Sequence, residues 1–430
     1  MSWRLRLAAL RYRFRESLFA YPVALMLVGV VLAVVATTID DAIGHDVQLP
    51  LALAMSSNAA TWLLATVAGA MITTVGVVFS LTVVSLQLAS GQFSPRVMRS
   101  FIRDRLSQRM IGLLVATFFY CVLILPNVSG EATDPAPQVS LTLAVVLTLI
   151  AVIGILAHLD HLAHGLQVGN VAHGIAREGR RVAREREGTP AGLQAVNPRD
   201  FHEVPDNALT IDSPFNGWVT QVDTAHLFKR SAPGTVMRVE TRVGAYIHAG
   251  EPLLTVWPAP DNDGRRLAEA VEISDARAML QDTDFAIRQL VDIGLRALSP
   301  AIHDPTTAIE VILRLGSLLR TVLTTPLAPD ALRDHQDRVV VQPWNLSHEE
   351  YILHAFDQLR MACREQTEVI STLLRVLRML ERHVAPELIP ALARQRRLLL
   401  ESLHPDMHPE DLMRLRALAT HETDPADHSR

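Results

Sequence analysis

Lysine is almost missing from this chain. Lys229 is the only one, although the sequence holds 40 basic residues among 430. Arginine therefore supplies nearly every cation, a bias of base composition more than of mechanism. Cysteine is scarce too. Cys121 and Cys363 are the only two. One falls in an apolar run and the other in a helical region, which excludes a disulfide framework and fits a reducing compartment. Charge is missing altogether from four long stretches, and basic residues are missing from two of the loops between them. Motifs of common chemistries are absent as well: no Walker loop, dinucleotide fingerprint, zinc-finger spacing or His-Glu-x-x-His, and no G-x-S-x-G elbow. These absences argue against an enzyme, and no cofactor is expected. No nucleic-acid partner is expected either, because membrane topology accounts for the arginine clusters.

What is present is apolar and unevenly placed. The chain is 49% hydrophobic, and its formal net charge of −5 hides a strong segregation of charge. The first 160 or so residues hold four charge-free runs, at 20–38, 60–89, 110–126 and 139–157. Each is near the length of about 20 residues that crosses a bilayer. Arginines crowd three flanks: Arg4 to Arg15, Arg96 to Arg109 and Arg177 to Arg186. The loops 39–59 and 127–138 hold no Lys or Arg and carry Asp40, Asp41, Asp46, Glu131 and Asp134. The positive-inside rule then places both termini in the cytoplasm, as in a multi-pass protein of a bacterial inner membrane.

The expected fold is mainly α. A transmembrane domain of four helices spans 1–168, and an Arg-rich helix extension and linker fills 169–205. A small cytoplasmic β-barrel-sandwich-like module follows at 206–260, then a helical C-terminal domain at 265–420 and a disordered tail at 421–430. The strand pattern lies in ALTIDSPFNGWVTQVD and GTVMRVETRVGAYIHAGEPLLTVWP. Their pairing resembles biotinyl- or lipoyl-type sandwiches, which carry a cofactor on a hairpin lysine. Lys229 is the one candidate here, and its surroundings favour a structural module. Helices are expected at 266–298, 305–324, 347–381, 386–403 and 409–420, with a strand-like run at 338–344.

The second apolar run carries a pattern of its own. Steps of three and four residues pick out Thr66, Gly69, Thr73, Gly76, Ser80, Val83, Gln87 and Ser90, of which only Val83 is neither small nor polar. A repeat of 3.5 residues marks one side of a supercoiled helix. Two expectations follow. Small residues let helices pack closely and hydroxyls bond across the contact, or hydroxyls and an amide line water in an oligomeric pore. Thr82 and Ser85 lie off this seam. Thirty residues of helix rise roughly 45 Å, more than the hydrocarbon thickness of about 30 Å, so the helix tilts or projects. Beyond it Arg96, Arg99 and Arg103 alternate with Phe93, Met98, Phe101 and Ile102. That alternation suits anchoring at the interface, against anionic lipid.

Two further polar groups stand out. His158, His161 and His164 close the fourth run, spaced so that neighbours share a helix face. Interfacial histidines are the ordinary reading, with a metal site or protonation behind it. In the C-terminal half, Asp292 and Arg296 stand four residues apart on an otherwise apolar helix, and SPAIHDPTTA reads as a helix stop and restart. Asp304 suits the N-cap and Pro305 the first helical position. A ligand site around Asp292, Arg296, His303 and Asp304 is the alternative.

The stretches FSLTVVSLQLASGQFSPRVMRSFIRDR and QDTDFAIRQLVDIGLRALSPAIHDPTTA together resemble the signatures of a bacterial group, domain-of-unknown-function family 2254. The resemblance covers about residues 10 to 400 and implies a membrane protein without an assigned activity. It puts Asn where this chain has His303.

Overall fold

A computed structural model describes residues 20–43, 52–92, 96–97, 105–128, 136–165, 167–260 and 264–420. The chain divides into two compact units, at Ser2–Gln167 and Val168–Arg430. The first holds four long apolar helices: α1 (Ala20–Ile43), α2 (Ser57–Gln92), α3 (Arg105–Ile124) and α4 (Gln138–Gly165). All four are long and apolar enough to cross a membrane. They form because each run keeps apolar side chains on every face, which leaves the backbone to bond internally in lipid.

The third span is the centre of this unit. It touches each of the other three, and 44% of its apolar window is buried, against 17% for the first and second spans. Glycine sets how closely the helices approach. A Cβ at Gly29 of α1 would meet the Ala116 carbonyl oxygen of α3 at 2.7 Å. One at Gly112 of α3 would meet Leu25 at 2.7 Å and the Pro22 Cα at 3.0 Å. Such backbone-to-backbone contact is the usual substitute for a hydrophobic drive between helices in lipid. A core of Ala33, Ala36, Ala60, Leu64, Tyr120, Ile124 and Leu141 closes one part of the unit.

The second unit begins with α5 (Val168–Glu185). The Arg-rich stretch is thus an independent helix of this unit, and corrects the expected extension and linker. Its buried residues Ala172, Ile175, Ala176, Gly179 and Val182 follow the helical period and form an apolar stripe. Nine strands follow in two sheets. β1 (Gln194–Ala195), β2 (Leu209–Asp212), β4 (Val236–Val239), β6 (Pro252–Trp257), β8 (Ala331–Arg333) and β9 (Val339–Val341) form one, in the order β1-β8-β9-β4-β6-β2. β3 (Gly217–Val222), β5 (Tyr246–Ile247) and β7 (Val271–Ser274) form the other, with β3 central. Pairing is antiparallel except between β4 and β9, where Val236 faces Val339. The two sheets share one core that includes Val219, Met237, Val239, Leu254, Val271 and Val340.

This arrangement corrects the barrel expectation: the strands form two sheets and no closed barrel. The larger sheet recruits β8 and β9 from far down the chain. Lys229 lies exposed on the short helix α6 (Thr224–Arg230), not on a hairpin tip. The helix expected at 266–298 is interrupted. It resolves into α7 (Arg265–Ala268), the strand β7 and α8 (Thr283–Ala297). The remaining helices are α9 (Pro305–Thr324), α10 (His348–Ala362), α11 (Thr367–Glu381), α12 (Ile389–Glu401) and α13 (Pro409–Thr420). α5 packs on α8 and α9, and α11 packs on α9 and α12.

Candidate functional site

The second span uses only one side within its own subunit. Ala60, Leu64, Ala68, Met71 and Val78 are buried there. Thr66, Gly69, Thr73, Gly76, Ser80, Val83 and Gln87 are all exposed. At about 100° per residue, the mean direction of the seam lies roughly 170° from that of the buried set. A Cβ at Gly69 or Gly76 would meet no atom within 4 Å. Thr82 and Ser85, off the seam, are half-buried, and the same angular count puts them on the side that packs within the subunit. The Thr73 hydroxyl donates to the Gly69 carbonyl at 2.8 Å, and that of Thr82 to the Val78 carbonyl at 2.8 Å. These hydroxyls meet their hydrogen-bond needs on their own helix. The Ser90 side chain and the segment with Arg99 and Arg103 lie outside the described residues.

One carboxylate in the membrane unit has a role that charge counting could not show. Asp40, at the end of α1, is only 8% exposed. Its two oxygens accept the backbone N–H groups of Val139 and Ser140, each at 2.9 Å. Those are among the N-terminal donors of α4, which have no partner inside the helix. A carboxylate there meets two of them and complements the helix dipole. Tyr120 of α3 donates its hydroxyl to the Ser140 carbonyl at 2.9 Å. One end of α4 is thereby fixed to both α1 and α3.

His158 is buried and His161 exposed, and the His164 side chain lies outside the described residues. Among the described residues no group of three His, Cys, Asp or Glu is placed to hold a metal ion.

The densest polar centre of the second unit is built around Arg277. Its guanidinium donates to Asp282 at 2.6 and 3.1 Å and to Asp284 at 2.8 Å. It lies over the rings of Phe285, 5.3 Å away, and Trp218, 5.7 Å away. His354 of α10 meets the other Asp284 oxygen at 2.7 Å. Asp282 also caps α8 by accepting from the Phe285 N–H at 3.0 Å. Burial opposes ionisation of Asp284, yet the bonds from His354 and Arg277 outweigh it and hold the carboxyl far below its usual range. Burial likewise opposes the charge on Arg277, and bonding to Asp282 and Asp284 more than restores it. Gly244, at φ +82°, passes against this pair; a Cβ there would overlap Asp282. That backbone conformation and that closeness both require glycine.

The residues expected to cluster in this half are spread along the α8–α9 hairpin. Asp292 and Arg296 are half-buried on α8, four residues apart. Asp304 is the N-cap of α9, accepting from the Thr307 N–H at 3.0 Å, with Pro305 in the first turn. Bonding to Thr307 holds its carboxyl below the usual range. His303 is exposed at φ +48°, a region that asparagine tolerates better than most side chains. The asparagine implied by the family resemblance would suit that backbone.

A family model described as "Predicted membrane protein (DUF2254)" matches residues 15–379. The chain belongs to the DUF2254 family. Among its relatives are uncharacterized proteins of Mycobacterium tuberculosis and Mycobacterium bovis, 32% identical over 325 residues. The match takes in 72% of this chain and 61% of each relative, so the chain spans about three-fifths of their length. No solved structure matches it. Family membership and the four apolar helices make this a multi-pass membrane protein. Both stretches that carried the resemblance now have a place in this DUF2254 chain. One is the end of α2 with the segment after it. The other opens on Asp282 and Asp284 and runs through α8 to the cap of α9. Reading the sequence missed Arg277 and His354, which come to this centre from outside that stretch. The signal within it was the pair of aspartates at a helix start.

Proposed function

We propose that this DUF2254 protein is a homo-oligomer of the bacterial inner membrane, with both termini cytoplasmic. In this reading α2 faces the shared axis and the seam lines a path for ions or a small solute. The observation that carries it is the placement of Thr66, Gly69, Thr73, Gly76, Ser80 and Gln87 on the side of α2 away from its own subunit. Lipid offers no partner for a glutamine amide and gains little from a row of glycines, whereas a second helix or water does. Anionic lipid is the proposed partner of the arginines after α2. The test is aqueous thiol labelling of Thr73→Cys, Ser80→Cys and Gln87→Cys in a background without Cys121 and Cys363. Conduction requires reaction at these positions in at least one state; protection in every state ends the pore reading.

A non-conducting scaffold is the second reading, and Thr73 favours it. Its hydroxyl is turned to its own Gly69 carbonyl, which suits a dry contact between copies. Reconstituted vesicles separate the two, since a scaffold oligomerises without any flux.

A further inference from the structure

The second unit holds a half-open cavity of about 260 Å³ beside the Arg277 centre. Two arginines line it: Arg186, just after α5, and Arg242, between β4 and β5. Arg186 donates to the Gln281 carbonyl at 2.7 Å and Arg242 to the Val243 carbonyl at 3.3 Å. Among the described residues no carboxylate pairs with either guanidinium. Both side chains are half-buried, where an unpaired charge is costly. Two carboxylates also line the cavity, and each is turned to another partner. Asp282 is engaged by Arg277 and the Phe285 N–H, and Asp330 accepts from Asn345 at 3.3 Å. The start of α10 contributes Ser347 and Tyr351. That helix end is already closed by the reciprocal bonds of Ser347 and Glu350, so the arginines carry the argument. Burial pushes the Tyr351 phenol up to about 12, which keeps it a neutral donor. Val243, Val322 and Leu346 give the remaining wall an apolar character.

We propose that this cavity binds a small phosphate-bearing anion through Arg186 and Arg242, with the uncharged part of the ligand against Val243, Val322 and Leu346. Guanidinium groups match phosphate oxygens in charge and in fork geometry. The volume lies below the range of roughly 300–1,000 Å³ for drug-sized ligands, which points to a small phosphate ester. The site rests on the second unit alone and stands whether or not α2 lines a pore.

The test is calorimetric titration of the full chain, in nanodiscs of phosphatidylcholine, with glycerol 3-phosphate at constant ionic strength. Saturable binding is expected, weakened roughly tenfold or more by Arg186→Gln and by Arg242→Gln. Arg186→Lys and Arg242→Lys should recover part of it. Arg180→Gln, on the same helix but bonded to Ser317, should leave it unchanged. Ala183→Leu, which narrows the cavity without touching a charge, should also weaken it, and it serves if a glutamine variant fails to fold. Binding kept in phosphatidylcholine discs but lost in phosphatidylglycerol discs would support the site with a lipid headgroup as the source. Absence of saturable heat in phosphatidylcholine discs, or binding indifferent to both glutamine variants and to Ala183→Leu, overturns the proposal.

Discussion

Two glycine-bearing surfaces of the membrane unit can be set side by side. On α1 and α3, Gly29 and Gly112 have neighbouring backbone where a Cβ would stand. On α2, Gly69 and Gly76 have open space. The residue type is the same and so is the spacing logic, yet one surface is used within the subunit and the other faces away from it. A pattern of small residues therefore identifies a face suited to close approach without saying what approaches. Burial within the subunit separates the two cases, and it moves the open question from inside one chain to the contact between chains.

The contrast can be broken in order of expected cost. The largest effect belongs to the second unit, where the filled site is held by charge. Arg277→Met leaves Asp282 and Asp284 buried without their cation and should cost about 3–5 kcal/mol in chemical unfolding. The same centre sets a pH dependence. The Asp284 carboxyl is depressed in the fold, so its contribution is complete above about pH 4 and declines as pH falls toward the folded value. Asp284→Asn should flatten that acid slope. Next comes Gly29→Leu, which drives a side chain into the α3 backbone and should cost about 1–3 kcal/mol or more in detergent unfolding. Asp40→Ala frees two N-terminal donors of α4 and should cost about 1–2 kcal/mol. Smallest for the subunit is Gly76→Leu. On an open surface it should stay within about 0.5 kcal/mol of the wild type while shifting the oligomer distribution in native gels. If Gly29→Leu and Gly76→Leu destabilise the subunit equally, the two surfaces are not different in kind.

The four spans were legible because hydropathy is local: runs at 20–38 and 139–157 fall inside Ala20–Ile43 and Gln138–Gly165. The cap at Asp304 was legible for the same reason, since Asp, Pro and the first apolar turn are adjacent in sequence. What stayed hidden depends on distant partners. Asp40 read as an acidic loop residue, and the two donors it accepts are about a hundred residues away. Arg277 and His354 converge on Asp284 from different elements, with nothing in their local pattern to mark them. β8 and β9 complete a sheet begun a hundred residues earlier. Short strands buried on both sides carry no alternation to announce them, and β7 was absorbed into an expected helix for that reason.

The account stands most directly on what the open face of α2 meets in the membrane. Oxidative cross-linking of single cysteines in native membranes reads this, in a background where the buried thiols Cys121 and Cys363 are replaced. Thr66→Cys, Thr73→Cys and Ser80→Cys should give covalent dimers, while Leu64→Cys and Met71→Cys, on the side packed within the subunit, should not. Dimers absent at all three seam positions, or equally strong on both sides of the helix, would contradict the claim that copies of this chain meet along α2.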